Sequence, residues 1–393
     1  MKRLLFRIPS IFAICLAAAS CTGRLTVSQA DVDWSRTDTV ICDSDDGMYI
    51  EREAAFDSIW FVRLETDDKG LIGRPDVILF ADSTIVVADM NISKNVLMFK
   101  YDGSFIGQLA QMGNGHNEFL YLSYVSLDGN GNVSILDEVR GKILTFTERG
   151  QFLNERDCPI YANAFEYADN DVIVFDTGLR YHKGSPYDNI SFVVKDGMMN
   201  DSYVFGLTDF EEGFNYTRSR NLYSYGGSVY GNVNFDDIIY RMDSHGVSAA
   251  YRLMIRPDNA SDYFPFKDKE EIKNLYRKHT HFNGSFIELE DYSYFGISIK
   301  DYEKQMPDLL YSHRTGQSHM LLNSFNDPMM SFFVSPLTRF GENCLVCVSS
   351  ANNVLNTRGT FETAGSEYPF PSNLFEGLEA DSNPILFFYR LAY

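Results

Sequence analysis

Three aspartates carry the most suggestive spacing in the chain. Asp89, Asp137 and Asp176 each close an apolar run, the first two being Ile85-Val86-Val87-Ala88 and Val133-Ser134-Ile135-Leu136. Carboxylates at matching places in successive units can face a common centre and hold a cation or polar ligand. Each can equally cap the loop that follows it, because an aspartate side chain readily accepts nearby backbone N–H groups. Lys94, Arg140, Arg180 and His182 lie in the same loops, and His116 lies in the connection between the first two units. These basic groups could grip a carboxylated or sulfated ligand, or they could balance the aspartates.

Other candidate chemistry is sparser. Cys344-x-x-Cys347 is the only CxxC. It falls in an apolar run with strand character, where positions three apart point to opposite faces, so a redox or metal pair is not expected. Cys42 and Cys158 could pair in an oxidising compartment or remain as buried thiols. His279-x-His281 would put two imidazoles on one strand face, but two ligands do not make a zinc site. His313 and His319 flank a turn and are expected to face solvent. Asp43-Ser44-Asp45-Asp46-Gly47 and Asp128-Gly129-Asn130-Gly131-Asn132 resemble calcium loops in composition. The second has Val139 where an EF-hand needs a bidentate glutamate, so a turn explains it better. There is no Gly-x-Ser-x-Gly elbow, P-loop or His-Glu-x-x-His motif, and no cofactor is legible.

The elements that must position these residues repeat. Asp76–Phe80, Thr84–Asp89, Asn95–Tyr101 and Ser104–Leu109 read as four short antiparallel strands, with Asp102-Gly103 as the last turn. Val133, Ile135 and Asp137 repeat Ile85, Val87 and Asp89 at an offset of 48, and Ile143, Phe146 and Gly150 repeat Val96, Phe99 and Gly103 at 47. The turn glycine recurs at Gly103, Gly150, Gly197, Gly246 and Gly316, in steps of 47, 47, 49 and 70. A fixed period of this size marks a repeat architecture. Four-stranded units buried on both faces, with near-continuous apolar strands, are the blades of a β-propeller.

Five such units and a sixth cut short can be counted. Cys344–Val348 and Pro384–Leu391 fit the second and third strands of the sixth, and then the chain stops. Ile59–Glu65 is an unassigned strand before the first unit. The reading is therefore an all-β, six-bladed propeller of four-stranded antiparallel blades spanning residues 58–393. It is closed by an N-terminal strand that completes the last blade and removes two exposed edges. The surplus in the step of 70 matches a helical insert at about residues 256–282, where Lys267–Lys278 has the spacing of one short amphipathic helix. A second long connection, Ala351–Asn383, interrupts the sixth blade. Both belong to the face that carries the loops between second and third strands, the face where propellers usually bind.

The 22% of charged and 15% of aromatic residues suit stacked sheets and exclude a disordered chain. A net charge of −20 excludes nucleic acid as a partner and disfavours anionic headgroups. Residues 1–20 have a basic start and an apolar run, Ile11–Ala19, too short to span a bilayer, and read as a secretory signal. Ala18-Ala19-Ser20-Cys21 resembles a lipobox, which makes Cys21 the expected lipidation site and residues 21–57 a polar, lipidated tether.

With these residues in view, the chain resembles the six-bladed β-propeller lipoproteins, related to NHL-repeat proteins, of Gram-negative gut anaerobes. The resemblance rests on Val62-Arg63-Leu64-Glu65-Thr66, on Ile85–Asp89 and Val96–Gly103, and on Asn383-Pro384-Ile385-Leu386. Gly113–Phe119 is similar to that group's Gly-x-Gly-Pro-Gly-Glu-aromatic stretch, with His116 and Asn117 in place of the proline and glycine. The resemblance implies a propeller held at the outer membrane by a lipid anchor, on its periplasmic or surface face. Two functions remain open at this stage. One is a binding or scaffold module for a neutral or cationic ligand such as a glycan, or for an envelope protein. The other is a metal-dependent hydrolase or lyase with an axial cation held by inward carboxylates or histidines.

Overall fold

β-Branched and aromatic runs broken by Asp-Gly and Asn-Gly turns leave the backbone little choice but short antiparallel strands. A computed structural model describes residues 28–43, 49–169, 171–178, 187, 190–207, 221–233, 236–263, 268–298, 308–322, 327–364 and 371–392. It shows six antiparallel blades of four strands each. In blade one these are Val77–Phe80, Ile85–Asp89, Asn95–Phe99 and Phe105–Ala110, numbered from the inside outward. Blade two repeats them as Tyr124–Leu127, Val133–Asp137, Lys142–Phe146 and Phe152–Asp157. The inner strands of blades three to six begin at Ala164, Leu222, His281 and Thr338.

The hydrophobic core is divided among the seams between blades. One cluster joins blades one to three through Val86, Ile135, Phe146 and Phe165. Others lie between blades three and four around Phe192 and Met242, four and five around Phe286 and Phe295, and five and six around Phe332 and Phe387. The last, between blades six and one, contains Ile78, Leu97, Val346 and Phe388. Because each sheet is covered on both sides, all five residues of Ile85–Asp89 are buried.

Ring closure takes the expected form. Phe56–Arg63 pairs antiparallel with Ile385–Leu391, from Arg63 opposite Ile385 to Phe56 opposite Leu391. Trp60 stacks on Phe388 across this pair at 5.0 Å. The turn glycines Gly103 and Gly150 have φ of 89° and 81°, which explains the residue type. At Gly197 the left-handed residue of the turn is instead Met199, at φ 63°.

Two expectations are corrected. The segment read as a polar tether is largely built into the ring. Ala30 N donates to Val204 O at the outer strand of blade three. Val32–Asp33 and Asp38–Asp43 run parallel to the outer strand of blade four, and Tyr49–Glu51 runs parallel to that of blade five. The N-terminal chain is thus a belt that adds a fifth strand to two blades before becoming the fourth strand of blade six. Its alternation, Val40 and Cys42 inward and Ile41 outward, is too short to stand out among polar neighbours. The second correction concerns Ala351–Asn383, whose described residues hold three short helices, Ala351–Asn356, Arg358–Thr363 and Ser372–Phe375, beside the expected one at Lys269–Lys278. Helices of one turn owe their stability to tertiary packing, here of Val354, Phe361 and Leu374 against Phe332 and Phe387.

Arg52 fastens the belt where it enters blade six. Its buried guanidinium pairs with Asp308 of blade five, donates to Phe333 O at 3.1 Å and lies 4.9 Å from the Phe333 ring centroid. Removing one partner of a buried pair strands the other charge. Arg52→Ala is expected to lower the unfolding free energy by about 3–5 kcal/mol, measured by urea denaturation.

Candidate functional site

The aspartates singled out by spacing do occupy equivalent corners of the ring, and there they act as staples. Asp89 Oδ2 accepts from Gly73 N at 2.7 Å, Arg74 N at 2.9 Å and the Ser93 hydroxyl at 2.8 Å, while Oδ1 accepts from Ile92 N at 2.8 Å. One carboxylate therefore ties the connection entering blade one to the loop between its second and third strands. Asp137 repeats the arrangement, with Oδ2 taking Leu120 N at 2.6 Å and Oδ1 taking Arg140 N at 3.1 Å. Asp176 takes Gly178 N at 2.8 Å and Asn221 Nδ2 at 3.3 Å, which links blade three to the start of blade four. The capping alternative thus describes all three, and none presents an open carboxylate to the axis.

Burial alone would raise the Asp89 carboxyl, but the N–H groups of Arg74, Ile92 and Ser93 and the Ser93 hydroxyl outweigh it and hold the group below its ordinary value. Asp76 is a staple that spacing did not reveal. It takes Met90 N at 2.8 Å on one oxygen and the Arg74 guanidinium at 2.8 Å on the other. In blade two Ser123 stands at the matching place and accepts Glu138 N at 3.1 Å.

The basic candidates do not converge. Arg140 donates to Glu118 O at 2.6 Å and pairs with Glu155 at 3.3 Å, so it braces loops. Lys94 stands exposed at a loop tip with φ 53°. His116 packs on Phe152 of blade two's outer strand, ring centroids 5.0 Å apart. Arg180 and His182 lie outside the described residues. His279 pairs with Asp258 at 2.7 Å and His281 rests on Tyr276, so the two rings have different partners. His313 is half-buried against the Ser293 hydroxyl at 2.8 Å and His319 is likewise half-buried, which corrects the solvent-facing expectation for both. Cys344 and Cys347 are free thiols in separate cores on opposite faces of their sheet. Cys42 and Cys158 are also free, and burial pushes their thiols up to about 12 and about 11.

The axis holds a cavity of about 140 Å³ at the end opposite the loop face, reached by residues from the inner strands of all six blades, among them Phe80, Leu127, Glu166, Ser224, Glu288 and Arg339. Glu166 is buried and accepts from the Ser126 hydroxyl at 2.7 Å and the Tyr124 and Ser224 hydroxyls at 3.3 Å, tying three blades together. Glu288 accepts from Ser293 at 2.6 Å and Tyr251 at 2.7 Å, yet burial outweighs these bonds and raises its carboxyl. Arg339 lies 4.7 Å from the Tyr225 ring centroid. Among the described residues no three His, Cys, Asp or Glu side chains gather as a metal site would require.

Among the described residues of the loop face, six exposed apolar side chains stand beside exposed charges such as Asp67, Asp68, Lys69 and Lys94. Leu71, Ile92, Leu120, Tyr121, Val139 and Tyr161 are all exposed, Ile92 by 63% and Val139 by 61%. They sit on the connections entering blades one, two and three and on the second-to-third loops of blades one and two. Sequence reasoning missed them because single apolar residues in loops carry no periodic signal. The staples were the available clue, since Asp89 binds Ile92 N and Asp137 binds Leu120 N directly.

Comparison with known proteins places this geometry. The model of the family described as "Domain of unknown function (DUF4934)" matches residues 43–390. No curated protein matches the sequence. A solved structure from Bacteroides fragilis NCTC 9343, named as an exported protein, superposes with a TM-score of 0.71 at 18% identity, covering 90% of this chain and 99% of that one. A member of the DUF4221 family from Bacteroides vulgatus gives 0.45 at 7% identity, over 86% and 98% of the two chains. BamB from Moraxella catarrhalis gives 0.37 at 13% identity, over 67% and 65%. At such identities the likeness is one of fold.

Asp89→Asn keeps the shape and removes the charge from a staple that serves three backbone N–H groups. It is expected to cost about 1–3 kcal/mol at neutral pH. Because the folded-state carboxyl is held down, its stabilisation is full above the ordinary aspartate pKa of about 3.9 and is lost as pH falls below it. Denaturation midpoints of wild type and variant, measured from pH 7 to 2.5, should converge at the acid end.

Proposed function

We propose that this chain, which belongs to the DUF4934 family, serves in the bacterial envelope as an exported, lipid-anchored propeller whose loop face binds a partner. The observation that carries the reading is the use made of the ring aspartates. Their carboxylates are spent mainly on backbone N–H groups, so these three positions offer fixed loops in place of free acid–base groups. The fold match to a protein named as exported supports passage out of the cytoplasm. The lipobox-like Ala18-Ala19-Ser20-Cys21 supports anchoring at Cys21. The stretches Val62–Thr66, Ile85–Asp89 and Val96–Gly103 support the resemblance to NHL-type propeller lipoproteins of Gram-negative anaerobes.

The belt changes the geometry of such an anchor. Only residues 22–27 separate Cys21 from Ser28, which already bonds to Ser202 O at blade three. At about 3.5 Å per residue they reach roughly 20–25 Å, so the ring would ride close to the bilayer surface. A belt strand parallel to the outer strands enters from the face opposite the loops, which leaves the loop face pointing away from the membrane.

The anchor is tested by expressing the full chain and Cys21→Ser in a Gram-negative host and partitioning each in Triton X-114 with palmitate labelling. Wild type should carry label and enter the detergent phase, and Cys21→Ser should do neither. An unlabelled wild type would overturn the anchor.

A further inference from the structure

We propose that Glu288, Ser293, His313 and Tyr251 form a latch across the seam between blades four and five, and that it closes only with a proton bound. Ser293 Oγ lies 2.6 Å from Glu288 Oε2 and 2.8 Å from His313 Nε2. The Tyr251 hydroxyl lies 2.7 Å from Glu288 Oε1 and 3.2 Å from the same Nε2. Glu288 ends the inner strand of blade five, Ser293 lies on its second strand and His313 follows its third. Tyr251 comes from the outer strand of blade four. The four groups thus close a ring of polar contacts between two sheets.

Counting hydrogens shows what the ring needs. His313 Nδ1 lies 2.9 Å from Glu290 O, a carbonyl that can only accept, so Nδ1 carries a hydrogen. In a neutral imidazole Nε2 is then a bare acceptor. With Glu288 ionised, the only hydrogens inside the ring belong to the two hydroxyls. Three acceptors face them: both carboxylate oxygens and Nε2. However the hydroxyls turn, one contact of 2.6–2.8 Å holds no hydrogen, and no water fits into so short a gap. One added proton completes the set. On Glu288 it donates to Ser293, which donates to His313. On His313 it donates to Ser293, which donates to Glu288. In both arrangements Tyr251 donates to Oε1, so the proton belongs to the pair and not to either residue.

The surroundings favour keeping it. Asp38 of the belt bonds to the Tyr311 hydroxyl and Glu290 takes the Tyr225 hydroxyl, which brings two acidic groups close. Tyr230 packs from blade four, backed by Arg241 and Asp243, which pair at 3.4 Å. Glu166 of blade three and Arg339 of blade six reach the axial cavity that Glu288 also lines. Arg339 opposes the acids, but its guanidinium lies over the Tyr225 ring. Burial raises the Glu288 carboxyl in the same direction. A group raised on folding gives its stabilisation in full below its ordinary value, about 4.3 for glutamate, and loses it as pH rises through the folded-state value. Rising pH should therefore loosen this seam and leave the cavity lining more negative. The inference stands apart from the loop-face reading, because the latch lies at the other end of the ring.

The test uses the mature chain from residue 21 with Cys21→Ala, which needs no detergent and keeps every residue of the ring. Urea unfolding is followed from pH 5 to 9 for this chain and for the same chain with Glu288→Gln or His313→Phe. Glu288→Gln supplies a permanent N–H where the proton would sit. His313→Phe removes the acceptor that demands the proton and keeps a ring beside Tyr251, where the imidazole now stacks at 6.3 Å. The ratio of the parent's unfolding constant to each variant's cancels the titration of groups the substitution leaves alone. Both ratios should rise severalfold from pH 5 to 9. A ratio that stays flat or falls with pH overturns the inference, including the case in which a variant is less stable by the same factor at every pH, as a merely structural set of hydrogen bonds would make it. Each variant is decisive alone, so one that fails to fold leaves the other to decide.

Discussion

A sheet edge with unpaired N–H and C=O groups is the constraint on which this molecule turns. Ile385–Leu391 is the third strand of blade six, and without a neighbour on its outer side it would expose a full row of such groups. Phe56–Arg63 fills the place, residue for residue over nearly its whole length, with Trp60 on Phe388 and Phe61 beside Phe387 at 6.2 Å. One pairing therefore completes the sixth blade and closes the ring. The belt upstream extends the same solution, covering the outer edges of blades four and five before the closing strand begins.

A closed ring gives the loops on its face something rigid to stand on. Each blade repeats the geometry at the end of its second strand, and an aspartate there can reach both the incoming connection and the loop that follows. This is why the same residue type recurs at Asp89 and Asp137 with the same two-sided bonding. The staple converts scaffold rigidity into fixed positions for Ile92 and Leu120. The axial end of the ring is organised differently: Glu166 of blade three gathers hydroxyls from blades two and four, so its charge is spent on holding inner strands together.

Much of the fold could be read from residues alone because a propeller writes its period into the chain. Gly103, Gly150, Gly246 and Gly316 kept phase where the turn demands positive φ. Ile59–Glu65 was legible as the closing strand, within a few residues of its true span, because a strand without a partner had only one vacancy to fill. The belt was not legible, since strands of two to six residues at a sheet edge bury too few side chains to show a pattern. The aspartates were found by spacing, but whether they faced a ligand or their own backbone depended on φ/ψ values that spacing does not contain. The apolar tips escaped notice for the opposite reason: a lone Ile92 or Val139 among polar loop residues looks like nothing until neighbouring blades bring it beside others.

The most direct measurement of ring closure is native-state hydrogen exchange of the backbone amides in Phe56–Arg63 and Ile385–Leu391. If the terminal pairing holds the ring shut, both strands exchange only through global unfolding, with the same free energy and denaturant dependence as the interior strands of blade one. If Phe56–Arg63 exchanges by local opening, several kcal/mol below the global value, the ring does not depend on its seam and the account fails.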